Sequence, residues 1–193
     1  MREYLEPNQF IDWQVPYVKK IAASLAKGKE CDNEIAKACF EFVRDEIKHS
    51  WHYRLDPVTI KASEVLKYGT GYCYAKSHLL AALLRANEIP AALCYQRLTI
   101  TDTPPYCIHG LNAIYLRDHG WYRVDARGNK EGVNAEFVPP VERLAFGLVH
   151  HGDHDIEGIF SSPHQAIVNL LESCDTVYSV FDRLSESDFT RYS

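Results

Sequence analysis

The stretch KYGTGYCYAKSHLLAALL, from Lys67 to Leu84, decides the reading of this chain. Gly69 and Gly71 break the backbone just ahead of Cys73, and from Cys73 to Asn87 no glycine or proline interrupts a run dominated by Ala and Leu. Ala75, Leu79, Ala82, Leu83 and Ala86 recur at helical spacing, and Leu80 and Leu84 widen the apolar stripe. The spacing predicts a helix from Cys73 to about Asn87, enclosed on several sides and ended before Pro90. A thiol therefore stands in the first turn of a central helix. Unpaired backbone N–H groups and the helix dipole there favour the thiolate over a thiol of ordinary pKa about 8.5. Of the six cysteines (Cys31, Cys39, Cys73, Cys94, Cys107 and Cys174), only Cys73 has surroundings that argue for reactivity. Cys39 and Cys94 fall in apolar periodic stretches and read as small buried hydrophobes.

Upstream, Val15 to Ala26 and Asn33 to about His49 carry helical periodicity, the second with Asp32 as N-cap and Ile35, Ala36, Cys39, Val43 and Ile47 as its buried face. Ser63 is placed to cap a short turn, Glu64 to Tyr68, ending at Gly69. Downstream the pattern changes. Ala91 to Ile100, Gly110 to Leu116 and Gly120 to Ala126 read as three antiparallel strands, with Thr101 to Pro105 as a loop and Asp118-His-Gly as a hairpin centred near residue 119. After Pro139 short apolar patches alternate with loops, with a helix expected around His164 to Glu172. Helices first and strands second imply an α+β fold, the Cys73 helix packed on an antiparallel sheet. A chain of 193 residues fits one domain, 1–193, with a core near 35–130, an N-terminal helical extension and a C-terminal covering segment.

His109 stands just before the second strand and Asp125 near the end of the third. An otherwise apolar strand rarely carries a carboxylate without a partner, because an unpaired buried charge is costly. Cys73, His109 and Asp125 thus form a candidate nucleophile, base and orienting carboxylate for acyl transfer through a thioester. Direct opposition of 109 and 125 needs a hairpin centred at 117, so a bulge, a wide turn or a diagonal contact must absorb the difference. Trp51, His52, Tyr72, Tyr74, Gln96, Arg127 and Asn129 are candidates for the cleft. Each has a structural reading beside it: loop anchoring for Trp51 and His52, core lids for the tyrosines, a locked turn for Arg127. The run His150-His-Gly-Asp-His-Asp155 concentrates metal-ligating side chains but lacks the helical His-Glu-x-x-His arrangement, so it also fits a solvated loop.

Gly71-Tyr-Cys73-Tyr-Ala-Lys, then His109-Gly-Leu-Asn-Ala-Ile-Tyr-Leu, then Gly120-Trp-Tyr-Arg-Val-Asp125 resembles the transglutaminase-like superfamily, in particular small stand-alone prokaryotic members. The resemblance implies a papain-like core, with Cys73 as nucleophile, His109 as general base and Asp125 as orienting residue. It implies a thiol-dependent amide or peptide hydrolase, or an acyltransferase, acting on a peptide, a protein side-chain amide or a small amide or ester. No cofactor is implied. The alternatives are a transglutaminase-type transamidase, a metal-dependent hydrolase using the His150–Asp155 loop, and a non-catalytic binding domain.

A net charge of −5 and the lack of a basic block argue against nucleic acid as a partner. No apolar run approaches a membrane span, so no membrane partner is expected. The N-terminal residues show no signal core, and six scattered cysteines without a Cys-x-x-Cys pair suit a reducing compartment, so a cytoplasmic location is expected.

Overall fold

Helices lead and strands follow in the structure, a computed structural model that describes residues 1–101 and 103–192. Asp102, within the loop expected at 101–105, lies outside the described residues. Helix α1 (Pro16–Ala26) is followed by α2 (Asp32–Glu46), strand β1 (Lys48–His49), the short α3 (Ser50–Tyr53), α4 (Ala62–Tyr68), strand β2 (Thr70–Gly71) and α5 (Cys73–Ala86). Strands β3 (Ala91–Thr99), β4 (Tyr106–Leu116) and β5 (Gly120–Val124) come next. The chain closes with β6 (Glu136–Val138), β7 (Val141–Arg143), β8 (His154–Asp155), α6 (Gln165–Glu172) and α7 (Val177–Asp182). The main sheet has the order β5-β4-β3-β8, antiparallel throughout. The expected α+β architecture, a cysteine-bearing helix on an antiparallel sheet, is what the chain adopts.

Helix α5 is the pillar of the core. Leu79, Leu80, Leu83 and Leu84 are fully buried, and each such side chain contributes roughly 1.5–3 kcal/mol of transfer free energy. Alternation along the strands sorts the remaining apolar residues. Ala91, Leu93, Tyr95, Ile108 and Ile114 join the core around α5, while Ala92, Cys94, Leu111 and Ala113 form a smaller cluster with Tyr4, Trp121, Leu144 and Ile159. Strand β4 presses on the first turn of α5 at Gly110, where a Cβ would lie 3.2 Å from the Tyr74 backbone. That closeness is what carries His109 to the start of the helix.

Several boundaries depart from expectation, each for a tertiary reason. Helix α2 stops at Glu46, short of His49, because Ile47 turns extended (φ −93°, ψ 117°) and the next two residues pair in parallel with Thr70 and Gly71. The buried Lys76 ammonium donates to the carbonyls of Ile47 and, at 3.4 Å, Arg44, a cation on the negative end of a helix. Helix α4 starts at Ala62, so Ser63 lies inside it. Its hydroxyl donates to Asp12 Oδ2 (2.5 Å) and its N–H to Asp12 Oδ1 (2.9 Å). Strand β4 begins at Tyr106, ahead of the expected Gly110, because the ladder with β3 continues to the Thr99–Tyr106 pair. His109 is therefore an interior strand residue.

The tail packs rather than trails. Ile167, Leu170, Leu171, Val177 and Val180 enter the same core as α5, and Arg97 Nε donates to Asp188 Oδ2 at 3.0 Å. Among the described residues no helix is long and apolar enough to cross a membrane.

Candidate active site

Cys73 opens α5 behind Tyr72, which supplies no side-chain cap, so the first-turn N–H groups stay directed at whatever lies ahead of the helix. Its side chain is 8% exposed and lines a cavity of about 270 Å³ shared with His109. His109 is nearly buried, and its Nε2 lies 2.7 Å from Asp125 Oδ2. The Cys73 sulfur lines the same cavity as the imidazole and acts on its charge. Asp125 is fully buried, yet satisfied: it also accepts the N–H groups of Arg127 (3.1 Å) and Ala145 (3.1 Å).

The electrostatics follow from this placement. Burial works against a charged His109, but the Asp125 charge, the Cys73 sulfur and the hydrogen bond to Asp125 outweigh it and raise the imidazole from 6.5 to about 10. Burial pushes the Asp125 carboxyl up, and the imidazolium with the two backbone donors pulls it below its ordinary value. The pair holds its charges because each supplies the other's counterion.

The hairpin resolves the expected mismatch by a diagonal. Leu116 pairs with Gly120 and Asn112 with Val124, so the turn centres on Asp118 rather than 119. Asp125 then continues opposite Leu111 and meets His109 diagonally, a distance long side chains span.

Four cleft candidates share the Cys73 cavity: Trp51, Tyr72, Tyr74 and Arg127. Trp51 stacks on Phe181 with centroids 3.6 Å apart. Tyr72 donates its hydroxyl to the Val177 carbonyl at 2.6 Å, and Tyr74 donates to the Ile108 carbonyl. Three others lie elsewhere. His52 faces a neighbouring hollow with Lys48 and Asn129. Gln96, opposite His109 in the β3–β4 ladder, lines a neighbouring hollow and donates to Asp155 Oδ1 at 2.9 Å. Asn129 holds its own loop through Asn134 Oδ1 (3.2 Å) and both backbone groups of Ala135. For Asn129 a nearer polar partner within the fold takes the side chain, while Gln96 gives only its amide N–H to Asp155 and its Oε1 has no partner among the described residues.

Sequence reasoning missed His49 and Phe146. The Phe146 ring stands edge-on to His109 at 5.0 Å. His49 was hidden inside the expected α2; the signal was that the apolar stripe of that helix ends at Ile47. It is 7% exposed, lines both the Cys73 cavity and the neighbouring hollow, and its Nδ1 has no hydrogen-bond partner. Burial, then the nearby charges of Arg127, Lys76 and His109, hold its pKa well below 6.5.

The His150–Asp155 run docks the tail on the sheet. Asp153 accepts from the N–H groups of Thr99 (3.0 Å) and His150 (2.9 Å), and Asp155 pairs with Arg123 at 2.8 Å. Among the described residues no group of three His, Cys, Asp or Glu converges as a metal ligand set.

The sequence pattern of the transglutaminase-like superfamily matches residues 19–126. The chain belongs to that superfamily. Among solved structures, a candidate cysteine protease from Cytophaga hutchinsonii aligns at 20% identity with a TM-score of 0.52, over 64% of this chain and 40% of that one. The periplasmic domain of TgpA from Pseudomonas aeruginosa aligns at 16% identity with a TM-score of 0.48, over 65% of this chain and 45% of that one. The chain thus spans less than half the length of these structures, and at such identities the likeness is one of fold. None of the curated proteins compared with it matches. The superfamily fold is that of thiol-dependent hydrolases and acyltransferases. The cytoplasmic expectation is corrected here: neither the N-terminal residues nor free thiols place this chain in the cytosol.

Proposed function

We propose that this transglutaminase-like protein cleaves or transfers acyl groups from amides through a thioester on Cys73. One observation carries the reading: His109, held at 2.7 Å by the buried Asp125 carboxylate, lines the same cavity as the Cys73 thiol. In the proposed reaction Cys73 Sγ attacks the substrate carbonyl carbon, and the tetrahedral oxyanion takes a hydrogen bond from the Cys73 backbone N–H at the helix start. Protonated His109 then gives its proton to the leaving amine, and the C–N bond breaks to leave a thioester. Water, deprotonated by the now neutral imidazole, releases the acid; an amine in place of water would make the reaction a transfer. Hydrolysis of a peptide or side-chain amide is the plainer outcome, since water always reaches an open cavity. Asp125 fixes the imidazole orientation and stabilises its charged form.

The whole chain, 1–193, serves this site as one domain in our reading. Ile11 near the N-terminus and Val177 near the C-terminus enter the same core as α5, and Phe181 and Leu184 supply cavity wall.

The test is intact-mass profiling with amide and ester electrophiles at neutral pH. Cys73 is expected to label faster than the other five cysteines, with no adduct at that site in Cys73→Ala. Turnover that survives Cys73→Ala would sink the reading. Because His109 is raised to about 10, a rate limited by leaving-group protonation is expected to fall only as pH climbs through about 10.

A further inference from the structure

The walls of the Cys73 cavity differ sharply in character. One side is apolar and aromatic, with Leu98, Ile100, Phe181 and Leu184. The other carries His49, Arg127 and Lys130, and among the described residues no aspartate or glutamate lines the cavity. Arg127 is the unusual member. Its guanidinium forms no ion pair among the described residues, and its one side-chain hydrogen bond there is a long contact, 3.5 Å, to the Gly128 carbonyl. It lies 5.3 Å from the Phe146 ring beside the reacting sulfur. By contrast Arg44, at the rim of the adjoining hollow, is fully engaged, with bonds of 2.7 and 2.8 Å to Asp45 and 3.0 Å to the Ala135 carbonyl.

A partly desolvated guanidinium with most of its five N–H donors unused is costly unless an anion completes it. The neighbouring imidazoles register the same excess of positive charge. Beyond the effect of burial, the nearby cations Lys130 and Arg127 hold His52 down, and Arg127 is the foremost charge acting on His49. His49, more than nine-tenths buried, forms part of the wall. Among the described residues, an apolar wall and two cations without an ion pair face one space.

From this juxtaposition we infer that the acyl donor carries a carboxylate close to the scissile amide, clasped by Arg127 with Lys130, with an apolar group against the opposite wall. The inference rests on the thioester reading above and names its substrate class: an amide beside either a free peptide C-terminus or an acidic side chain. Arg127 suits the task because its planar fork meets both carboxylate oxygens at once.

The experiment compares three probes on the full chain: N-iodoacetyl-phenylalanine, its carboxamide, and N-iodoacetyl-glutamic acid α-amide. Alkylation of Cys73 is followed by intact mass and peptide mapping. A carboxylate-bearing probe is expected to react about tenfold or more faster than the neutral one, as the loss of a charge-assisted hydrogen bond predicts. Arg127→Gln is expected to erase that ratio while Arg127→Lys restores part of it. Which acid reacts faster distinguishes a C-terminal carboxylate from an acidic side chain, and either supports the inference. Equal rates, or a preference that survives Arg127→Gln, would overturn it. Lys130→Gln, a change at an exposed side chain, offers a second variant with a smaller drop in the same ratio. Binding of N-acetyl-phenylalanine against its carboxamide to Cys73→Ala, read by calorimetry, tests the clasp without the thiol. If no probe labels Cys73 yet the acid still binds more tightly through Arg127, the thioester reading fails and the anion site stands.

Discussion

Two kinds of buried polar group stand along α5, and they behave in opposite ways. Over its length, Lys76, His78 and Arg85 each give their donors to backbone carbonyls. Lys76 meets Ile47 and Arg44, and the His78 ring meets Ile60 at 2.7 Å. Arg85 binds Glu6 (2.7 Å), Ala91 (2.8 and 3.0 Å) and Ser161 (2.9 Å). At its first turn, Cys73 faces a cavity where, among the described residues, the Arg127 guanidinium has almost no partner. Burial is common to both regions. What separates them is whether hydrogen-bonding capacity has been used by the fold, and in the proposed reaction the capacity left unused beside Cys73 is what a substrate completes.

The sharpest way to break this contrast lies at the carboxylate behind the imidazole. Asp125→Asn keeps the shape but presents the wrong partner to His109, and turnover of a substrate found by profiling should drop about 10³- to 10⁴-fold. Unchanged turnover would show that the first turn is as structural as the rest of the helix.

The structural side breaks at Arg85. Arg85→Met leaves the carbonyls of Ala91, Glu6 and Ser161 without their donors, and denaturant unfolding should show a loss of about 3 kcal/mol or more. A loss under about 1 kcal/mol would mean those carbonyls find other partners and the ties do not matter.

Stability against pH sharpens the comparison, because the two regions have opposite signs. His109 is raised from 6.5 to about 10, so what its pair with Asp125 contributes is fully present below about 6.5 and lost as pH rises through about 10. Lys76 is lowered from 10.5 to about 7 by burial, so its penalty is present below about 7 and relieved as pH rises toward 10.5. The two slopes oppose each other between about 7 and 10. In Lys76→Met the relief is gone, and unfolding midpoints should fall more steeply over that window than in the wild type. The reverse steepening would put the charge assignments in error.

The smallest effect belongs to Gln96. Its amide bonds Asp155 in a neighbouring hollow, so Gln96→Ala should cost about 1 kcal/mol or less and leave the rate of Cys73 alkylation as it was. A fall in that rate would tie that hollow to the cavity.

Much of the fold was legible because local pattern and tertiary need agree. Ala and Leu from Ala75 to Leu84 form a helix and fill a core with the same residues, and Gly120 with Asp118 and His119 turns a hairpin wherever it sits. Legibility failed where a distant group decided the outcome. Lys76 gathers the end of α2, which freed His49 from the helix that its sequence suggested. Ser63 reads as a cap, but Asp12 takes it. The cleft candidates divided in the same way: Trp51, Tyr72, Tyr74 and Arg127 reach the cavity, whereas His52, Gln96 and Asn129 find closer partners or another hollow.

The sequence by itself determined the order of elements, the helix that begins at a thiol, and the succession of cysteine, histidine and carboxylate, because periodicity and residue chemistry are local properties. Only the tertiary structure decided that His109 and Asp125 meet on a diagonal, that His49 and Arg127 line the cavity of Cys73, and that the C-terminal segment closes the cavity wall. Those outcomes depend on which side chain reaches a given carbonyl or carboxylate first, and that competition exists only once the chain is packed.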